Sequence, residues 1–577
     1  MPAKKTIKVE TVAEAYFSLL HARGIEYLFA NGGTDFAPVI ESLAALDAKG
    51  GKHLNVISVP HENCAISMAH GYYLATGKPQ AVMFHVNVGT MNGMNGLANA
   101  SRDHVPIIFT AGRNPITEYG ALGSRDTGIH WAQEMFDQNG MVRELVKWEY
   151  ELRRPDQIEE VVDRAIEMAT MEPCGPVYLS LPREVMCAPM KEFTYTVKPR
   201  RANFARSGGD PAAIAEAAEI LAKAERPLLI PRGGGRTAEG SAAISAFAKR
   251  FAIPVIECRS QVLSVDTTSE VLGGYSPLPL MKDADAILSV DSDVPWIPLQ
   301  HGQPPDDCKV IQLGADPIYS HVPIRSFPCD VAVVGATQVA LPQLAEALGK
   351  KIKKDDKKVA ARRKRLTEAR VKTAKDAAGE AERSKNITPI SPIWASWCIG
   401  QAKGDDAIVV NEYSLINRYT EFKKPRTFFG TPAAGGLGWG LGAAIGVKIA
   451  NPNRTVIAPL GDGAYMFGNP TAGHQVLRNL GLGVVFVIFN NAMWEEVERA
   501  ALAVFPKGQA SRRNRVPVAP LGEHAAYEKI MDVYGGYGER VEKPDALPKA
   551  IERAIKAAKK GQQALLNVIV SRRGAPP

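Results

Sequence analysis

Two short apolar runs that each end in oxygen-bearing side chains limit what this chain of 577 residues can fold into. Arg454-Thr-Val-Ile-Ala-Pro-Leu460 reads as a strand running into the turn Gly461-Asp462-Gly463, and Val484-Val-Phe-Val-Ile-Phe489 as a second strand ending at Asn490-Asn491. The 26 residues between Gly463 and Asn490 are enough for a crossover helix. Both polar sets then lie at strand C-terminal ends, where open α/β sheets bind ligands. Taken singly, Gly-Asp-Gly is a tight turn and Asn-Asn a loop. Together they make a hard-oxygen site. Mg²⁺ takes oxygen ligands from one or two protein groups plus substrate phosphates. Asp462 offers a carboxylate oxygen, Asn491 an amide oxygen, and the main-chain carbonyl of Met493 a third, while Gly461 and Gly463 let the backbone approach a diphosphate.

A chain this long exceeds one core, and about 100–200 residues per domain suggests about three or four. Repeated β-α alternation favours parallel sheets covered by helices. In residues 1–190 the strands are expected at Ile25–Phe29, Leu54–Val59, Ala81–Phe84 and Val105–Phe109, and the polar stretch Pro199–Gly209 marks a boundary. A middle block, residues 200–349, carries strands at Pro227–Pro231, Pro254–Glu257, Ala286–Val290 and Lys309–Leu313. Its Arg232-Gly-Gly-Gly-Arg236 lacks the full G-x-G-x-x-G, so a nucleotide-like fold without a nucleotide is expected there. A basic helical linker spans 350–386, and the last block, 387–577, opens with Gly430-Thr-Pro-Ala-Ala-Gly-Gly-Leu-Gly-Trp-Gly-Leu-Gly442 and holds the metal motif.

The net charge of +8 suggests nucleic-acid binding until it is located. Twelve Lys/Arg against three Asp/Glu fall between Lys350 and Lys372, which leaves the rest of the chain near neutrality. That spacing suits a solvated helix, and no aromatic residues interleave as on a stacking platform. Seven cysteines without a C-x-x-C pair indicate neither a zinc cluster nor a disulfide framework, and read as buried free thiols. The N-terminus is basic without an apolar signal core, and no run approaches a membrane span, so a cytoplasmic protein is expected.

At His61-Glu62, followed by the helical Asn63-Cys-Ala-Ile-Ser-Met-Ala-His-Gly-Tyr-Tyr-Leu-Ala-Thr-Gly77, the chain resembles the thiamine diphosphate-dependent decarboxylase and acetohydroxyacid synthase superfamily. The similarity spans nearly the whole chain, and implies three consecutive α/β domains with parallel sheets: pyrimidine-binding, middle and diphosphate-binding. Glu62 falls where that family keeps the glutamate that activates the coenzyme; by itself an acid there would merely suit a helix N-terminus. The resemblance puts Leu437, in Gly435-Gly-Leu-Gly438, at the apolar wedge that bends the cofactor. Gly435, Leu437, Gly461, Asp462, Gly463, Ala464, Asn491 and Met493 become the expected cofactor-binding residues, with thiamine diphosphate and Mg²⁺ as cofactors. The metal is assigned to Asp462, Asn491 and Met493. FAD, which some synthases bind in the middle domain, is not expected.

Within the superfamily, Phe84-His-Val-Asn-Val-Gly-Thr-Met-Asn92, Leu97-Ala-Asn-Ala100 and Thr110-Ala-Gly112 look like benzoylformate decarboxylase, whose active-site histidine falls on His85. Asn31-Gly-Gly-Thr34 puts Thr34 at its carboxylate-binding serine. Acetohydroxyacid synthases carry a Gly-Pro-Gly turn near His85-Val-Asn-Val-Gly89, and this chain lacks the proline. The second active-site histidine of benzoylformate decarboxylase has no match in register, with His301 displaced, and Arg113 stands where both branches have a glutamine, which implies a cation or a salt bridge near the site. Trp494 is expected to narrow the pocket. The resemblance thus implies a lyase or transferase of small 2-oxo acids, with Glu62, His85, Thr34 and Arg113 as catalytic residues. It also implies a homodimer or homotetramer with active sites at the subunit interface, and neither nucleic acid nor membrane as partner. Acetolactate synthase-like carboligation, a 2-hydroxyacyl-CoA lyase, and a non-catalytic scaffold or nucleic-acid-binding protein are the alternatives.

Overall fold

The computed structural model describes residues 3–50, 53–198, 206–353 and 356–572. Residues 199–205 of the expected boundary, and residues 354–355 of the basic run, lie outside the described residues. The described chain contains three six-stranded parallel sheets, as expected from the alternation of strands and helices. It packs as two compact units, one of residues 1–204 with 432–452 and 466–481, the other of residues 205–431, 453–465 and 482–577.

In the first unit the strand order is Asn55–Ser58, Tyr27–Asn31, Gln80–Phe84, Ile107–Arg113, Val177–Pro182, Glu149–Glu151. The strands Gln80–Phe84 and Val177–Pro182 are buried at every position, as a sheet covered on both faces requires. The chain order reverses between Tyr27–Asn31 and Gln80–Phe84, which pair in register Asn31 to Phe84. The expected strand Val105–Phe109 starts late, at Ile107. Pro106 has no N–H for a ladder, and the Val105 N–H turns back to the Ala100 carbonyl at 2.9 Å.

In the second unit the middle sheet runs Leu272–Gly274, Val255–Ile256, Pro227–Ile230, Ala286–Val290, Lys309–Gly314, Val331–Val334. Its order reverses between Pro227–Ile230 and Ala286–Val290, where protein groups meet one another. The Gly233 N–H donates to the Asp291 carbonyl at 2.9 Å, the Arg232 N–H to Ser292 Oγ at 3.0 Å, and the Arg232 guanidinium pairs with Asp293 at 3.1 Å. The third sheet runs Phe428–Phe429, Ile408–Val410, Val456–Gly461, Val485–Asn490, Ala564–Ile569, Tyr537–Val541, reversing between Ile408–Val410 and Val456–Gly461.

The basic run forms the helix Lys357–Ser384, started by Asp356, whose carboxylate accepts the N–H groups of Lys358 and Val359. It is not solvated throughout. Arg362 is buried and donates to the carbonyls of Ala224 and Phe251, both at 3.0 Å, where the helices Pro211–Lys223 and Ala238–Phe251 end. A cation suits the unpaired carbonyls of a helix C-terminus. The seven cysteines are free thiols, but only Cys64, Cys258, Cys308 and Cys398 are buried; Cys329 is exposed. Among the described residues no helix is long and apolar enough to cross a membrane.

Candidate active site

The switch point of the first sheet gathers most of the expected catalytic residues. Thr34 and Asp35 follow the strand Tyr27–Asn31, and His85 follows its neighbour Gln80–Phe84. Arg113 ends the next strand, and Glu62 opens the helix after the strand Asn55–Ser58. All lie at C-terminal strand ends, the position at which a doubly wound sheet holds its ligand.

Glu62 is only 7% exposed. Its two carboxylate oxygens accept from the side-chain amides of Asn31 at 2.9 Å and Asn92 at 2.5 Å. A helix N-terminus favours the charge, and the two amides fix its direction, which an acid serving only the dipole does not need. Gly89 keeps the space beside it, since a Cβ there would lie 3.3 Å from Glu62 Oε1.

His85 has Nδ1 2.5 Å from the buried Asp35 carboxylate, and its Nε2 is 3.3 Å from the Gln133 amide nitrogen. Thr34 Oγ1 lies 3.2 Å from Nε2 of His130. That second histidine is buried, 3.4 Å from Arg183, and burial pushes its pKa below the ordinary imidazole value. Arg113 resolves to salt bridges: it pairs with Glu151 at 2.8 Å and Glu134 at 2.7 Å and donates to the Met135 carbonyl. Asp35, Asn92, His130 and Gln133 join this cluster through their contacts, and the motifs did not reveal them.

Leu437, half-buried in the first unit, sits in a loop held by asparagines. Its carbonyl accepts from Asn95 at 2.9 Å, and the Asn99 side chain bonds both the N–H and the carbonyl of Gly436. Gly435 and Gly438 have left-handed φ of 67° and 81°, a conformation that glycine adopts without Cβ strain.

The second unit carries the oxygen set. The strands ending at Gly461 and Asn490 are parallel neighbours, in register Gly461 to Phe489. Asp462 is 2% exposed and accepts N–H groups from Gly463 at 2.9 Å and Ala492 at 2.7 Å. Burial pushes its pKa up to about 6, and among the described residues no Lys or Arg pairs with it. A buried carboxylate without a counter-charge fits a bound cation. Asn491 is held on both sides of its amide: the nitrogen donates to Glu495 at 2.9 Å and the oxygen accepts the Met493 N–H at 3.1 Å, which leaves that oxygen one lone pair for a cation. The flanking bonds Trp494 N–H to Ala519 and Leu521 N–H to Ala492 make Met493 and Pro520 a non-hydrogen-bonded antiparallel pair, so the Met493 carbonyl is not used by that pairing. Among the described residues no three His, Cys, Asp or Glu converge as a metal cluster; the donors here are hard oxygens suited to Mg²⁺. The Trp494 ring covers Gly463, where a Cβ would overlap it. The expected turn is in fact the start of the helix Asp462–Phe467, and Ala464 lies in its first residues, 6% exposed. His301 is spent locally, its Nδ1 accepting the Ile297 N–H at 2.9 Å.

Three parallel sheets, with an amide-clamped glutamate at the edge of one and a hard-oxygen pair at the edge of another, define an α/β enzyme of the coenzyme-dependent kind. Residues 10–141 match the thiamine pyrophosphate enzyme N-terminal TPP binding domain, residues 214–344 its central domain and residues 411–568 its C-terminal TPP binding domain. The chain belongs to the thiamine pyrophosphate enzyme family. It is 28% identical over 480 residues to benzoylformate decarboxylase of Pseudomonas aeruginosa, covering 80% of this chain and 82% of that one. To the acetolactate synthase large subunit of Haemophilus influenzae it is 25% identical over 560 residues, covering 94% and 92%. In fold it is similar to the Rhodococcus jostii RHA1 thiamine diphosphate-dependent 4-hydroxybenzoylformate decarboxylase, with a TM-score of 0.77 at 21% identity, covering 98% of this chain and all of that one.

Proposed function

We propose that this enzyme is a thiamine diphosphate- and Mg²⁺-dependent non-oxidative decarboxylase or carboligase of 2-oxo acids, with benzoylformate decarboxylase-like chemistry. The observation that carries the reading is the adjacency of Thr34 and His85 at one switch point, a hydroxyl and an imidazole beside the edge that holds Glu62. When bound, the coenzyme supplies the nucleophilic carbon that adds to the 2-carbonyl and takes the electron pair as CO₂ leaves.

This chain's own groups do the rest. Glu62, its direction set by Asn31 and Asn92, would hold a proton at the coenzyme's aminopyrimidine ring. Asp462, Asn491 and the Met493 carbonyl would hold the metal; Gly435, Gly461, Gly463 and Ala464 would give backbone access, and Leu437 would support the rings. Thr34 orients the substrate carboxylate, and His85 moves protons at the reacting oxygen. Arg113, with its charge balanced by Glu134 and Glu151, fixes the floor behind them. The working form is a cytoplasmic homodimer or homotetramer with active sites at the subunit interface.

The test is product analysis on purified protein with thiamine diphosphate and Mg²⁺. Release of CO₂ and an aldehyde from benzoylformate or another aryl or branched 2-oxo acid supports the reading. Acetolactate as the main product from pyruvate replaces it with a synthase, and CO₂ release undiminished in Glu62→Gln removes the assigned role of Glu62.

A further inference from the structure

We infer that Asp35 is a positioning residue that fixes the tautomer of His85, so that the neutral ring faces substrate as a proton acceptor at Nε2. This rests on the reading of His85 as substrate-facing.

The pair occupies a slot that the backbone has opened for it. A Cβ at residue 33 would overlap the His85 ring, and a Cβ at residue 112 would overlap the Asp35 carboxylate, so both positions are glycine. Asp35 is 4% exposed. One of its oxygens meets His85 Nδ1 at 2.5 Å and the other takes the Val86 N–H at 3.4 Å. Val86 has φ of 32°, a strained value for a β-branched residue, of the kind that clusters at functional sites. An ionised carboxylate only accepts hydrogen bonds. Nδ1 therefore carries the proton, and in the neutral ring Nε2 keeps its lone pair. The Gln133 amide nitrogen, 3.3 Å from Nε2, donates to that lone pair and is the group a substrate oxygen displaces.

The consequence is directional. When the aldehyde is released, the O–H bond at the former 2-carbonyl oxygen breaks, an N–H bond forms at Nε2, and the positive ring faces the Asp35 carboxylate. Nε2–H then gives that proton to the 2-carbonyl oxygen of the next 2-oxo acid as it becomes a hydroxyl, while the proton that ends on the product carbon comes from water.

Asp35→Asn tests this with almost no change of volume. To accept the Val86 N–H, the amide must turn its oxygen there and its NH₂ toward Nδ1, which moves the ring proton to Nε2. The readout is the ¹⁵N pattern of the His85 ring in full-length, histidine-labelled protein, assigned with His85→Gln and measured without coenzyme. The expected result is Nδ1–H in the wild type and Nε2–H in Asp35→Asn. With it, kcat on the best 2-oxo acid should fall about 100-fold, the scale of general acid–base catalysis, while thiamine diphosphate affinity stays unchanged.

A neutral wild-type ring protonated at Nε2 overturns the inference whether or not the variant folds. The same tautomer in both proteins with equal kcat overturns it as well. If the wild type turns over no 2-oxo acid, the proposed reaction fails, and the ring measurement still decides the role of Asp35.

Discussion

Trp494 lies flat against Gly463, its ring filling the place where a side chain at that glycine would begin. The oxygen set is thus roofed by an aromatic ring from the segment that also supplies Asn491 and Met493.

Replacing Gly463 with alanine forces that ring or the turn to shift, at about 1–3 kcal/mol for an overpacked contact. The expected outcome is a 10- to 100-fold rise in the Kd for thiamine diphosphate with Mg²⁺ present, measured by calorimetry. Adding Trp494→Ala should recover most of the loss.

Asp462→Asn should separate binding from folding. The carboxylate accepts one N–H on each oxygen, from Gly463 and Ala492, and an asparagine can accept only one of them. The metal-free variant therefore trades about 1 kcal/mol of hydrogen bonding for relief of a buried charge, and its Tm should stay within about 5 °C of the wild type. Coenzyme uptake in a Mg²⁺ titration should weaken at least about 100-fold, since one charged ligand of a hard cation is gone. Asn491→Ala should show the same Mg²⁺ defect, and EDTA should release the coenzyme from the wild type.

Glu62→Gln keeps the shape of the side chain but removes its charge. Asn31 and Asn92 each present an amide N–H₂, and a glutamine carboxamide accepts from only one of them. Coenzyme affinity should change less than tenfold, while kcat falls about 100- to 10,000-fold, read as CO₂ release.

Glu257 gives the protein a pH-dependent stability. Full burial pushes its pKa up to about 7 from an ordinary 4.5, even though the N–H groups of Ser264 and Val265 bond its carboxyl. Folding therefore favours the protonated acid. Its stabilisation is complete below pH about 4.5 and is lost as pH rises through about 7, by about 3 kcal/mol. Urea unfolding at pH 5 and pH 8 should show that fall superimposed on other groups, and Glu257→Gln should flatten it.

Much of this arrangement is legible in the sequence because strand ends are legible. Leu460 to Gly461 and Phe489 to Asn490 mark changes from apolar to polar that survive folding with strands at Val456–Gly461 and Val485–Asn490. Asp35 was hidden because its partner, His85, is 50 residues away on a neighbouring strand, and nothing local says that Gly33 and Gly112 clear the slot. Asn92 turns back to Glu62 from the helix that follows His85, and His130 arrives from a short helix after the fourth strand of the sheet. Such partnerships depend on register between elements, which hydrophobic period does not encode. The basic helix misled for a related reason: charge density suggests water all round, yet the planar fork of Arg362 matches two carbonyls as no lysine would.

That fork makes one bond in the backbone harder to cut than its neighbours. The helix Lys357–Ser384 offers proteases that cleave after basic residues a dense row of targets, and Arg362, with its head sunk between two helix ends, withdraws from the row. Limited trypsin digestion then becomes a gauge of seating: cuts at the flanking lysines come early from an intact molecule, and a cut after Arg362 appears once the helix has lifted away.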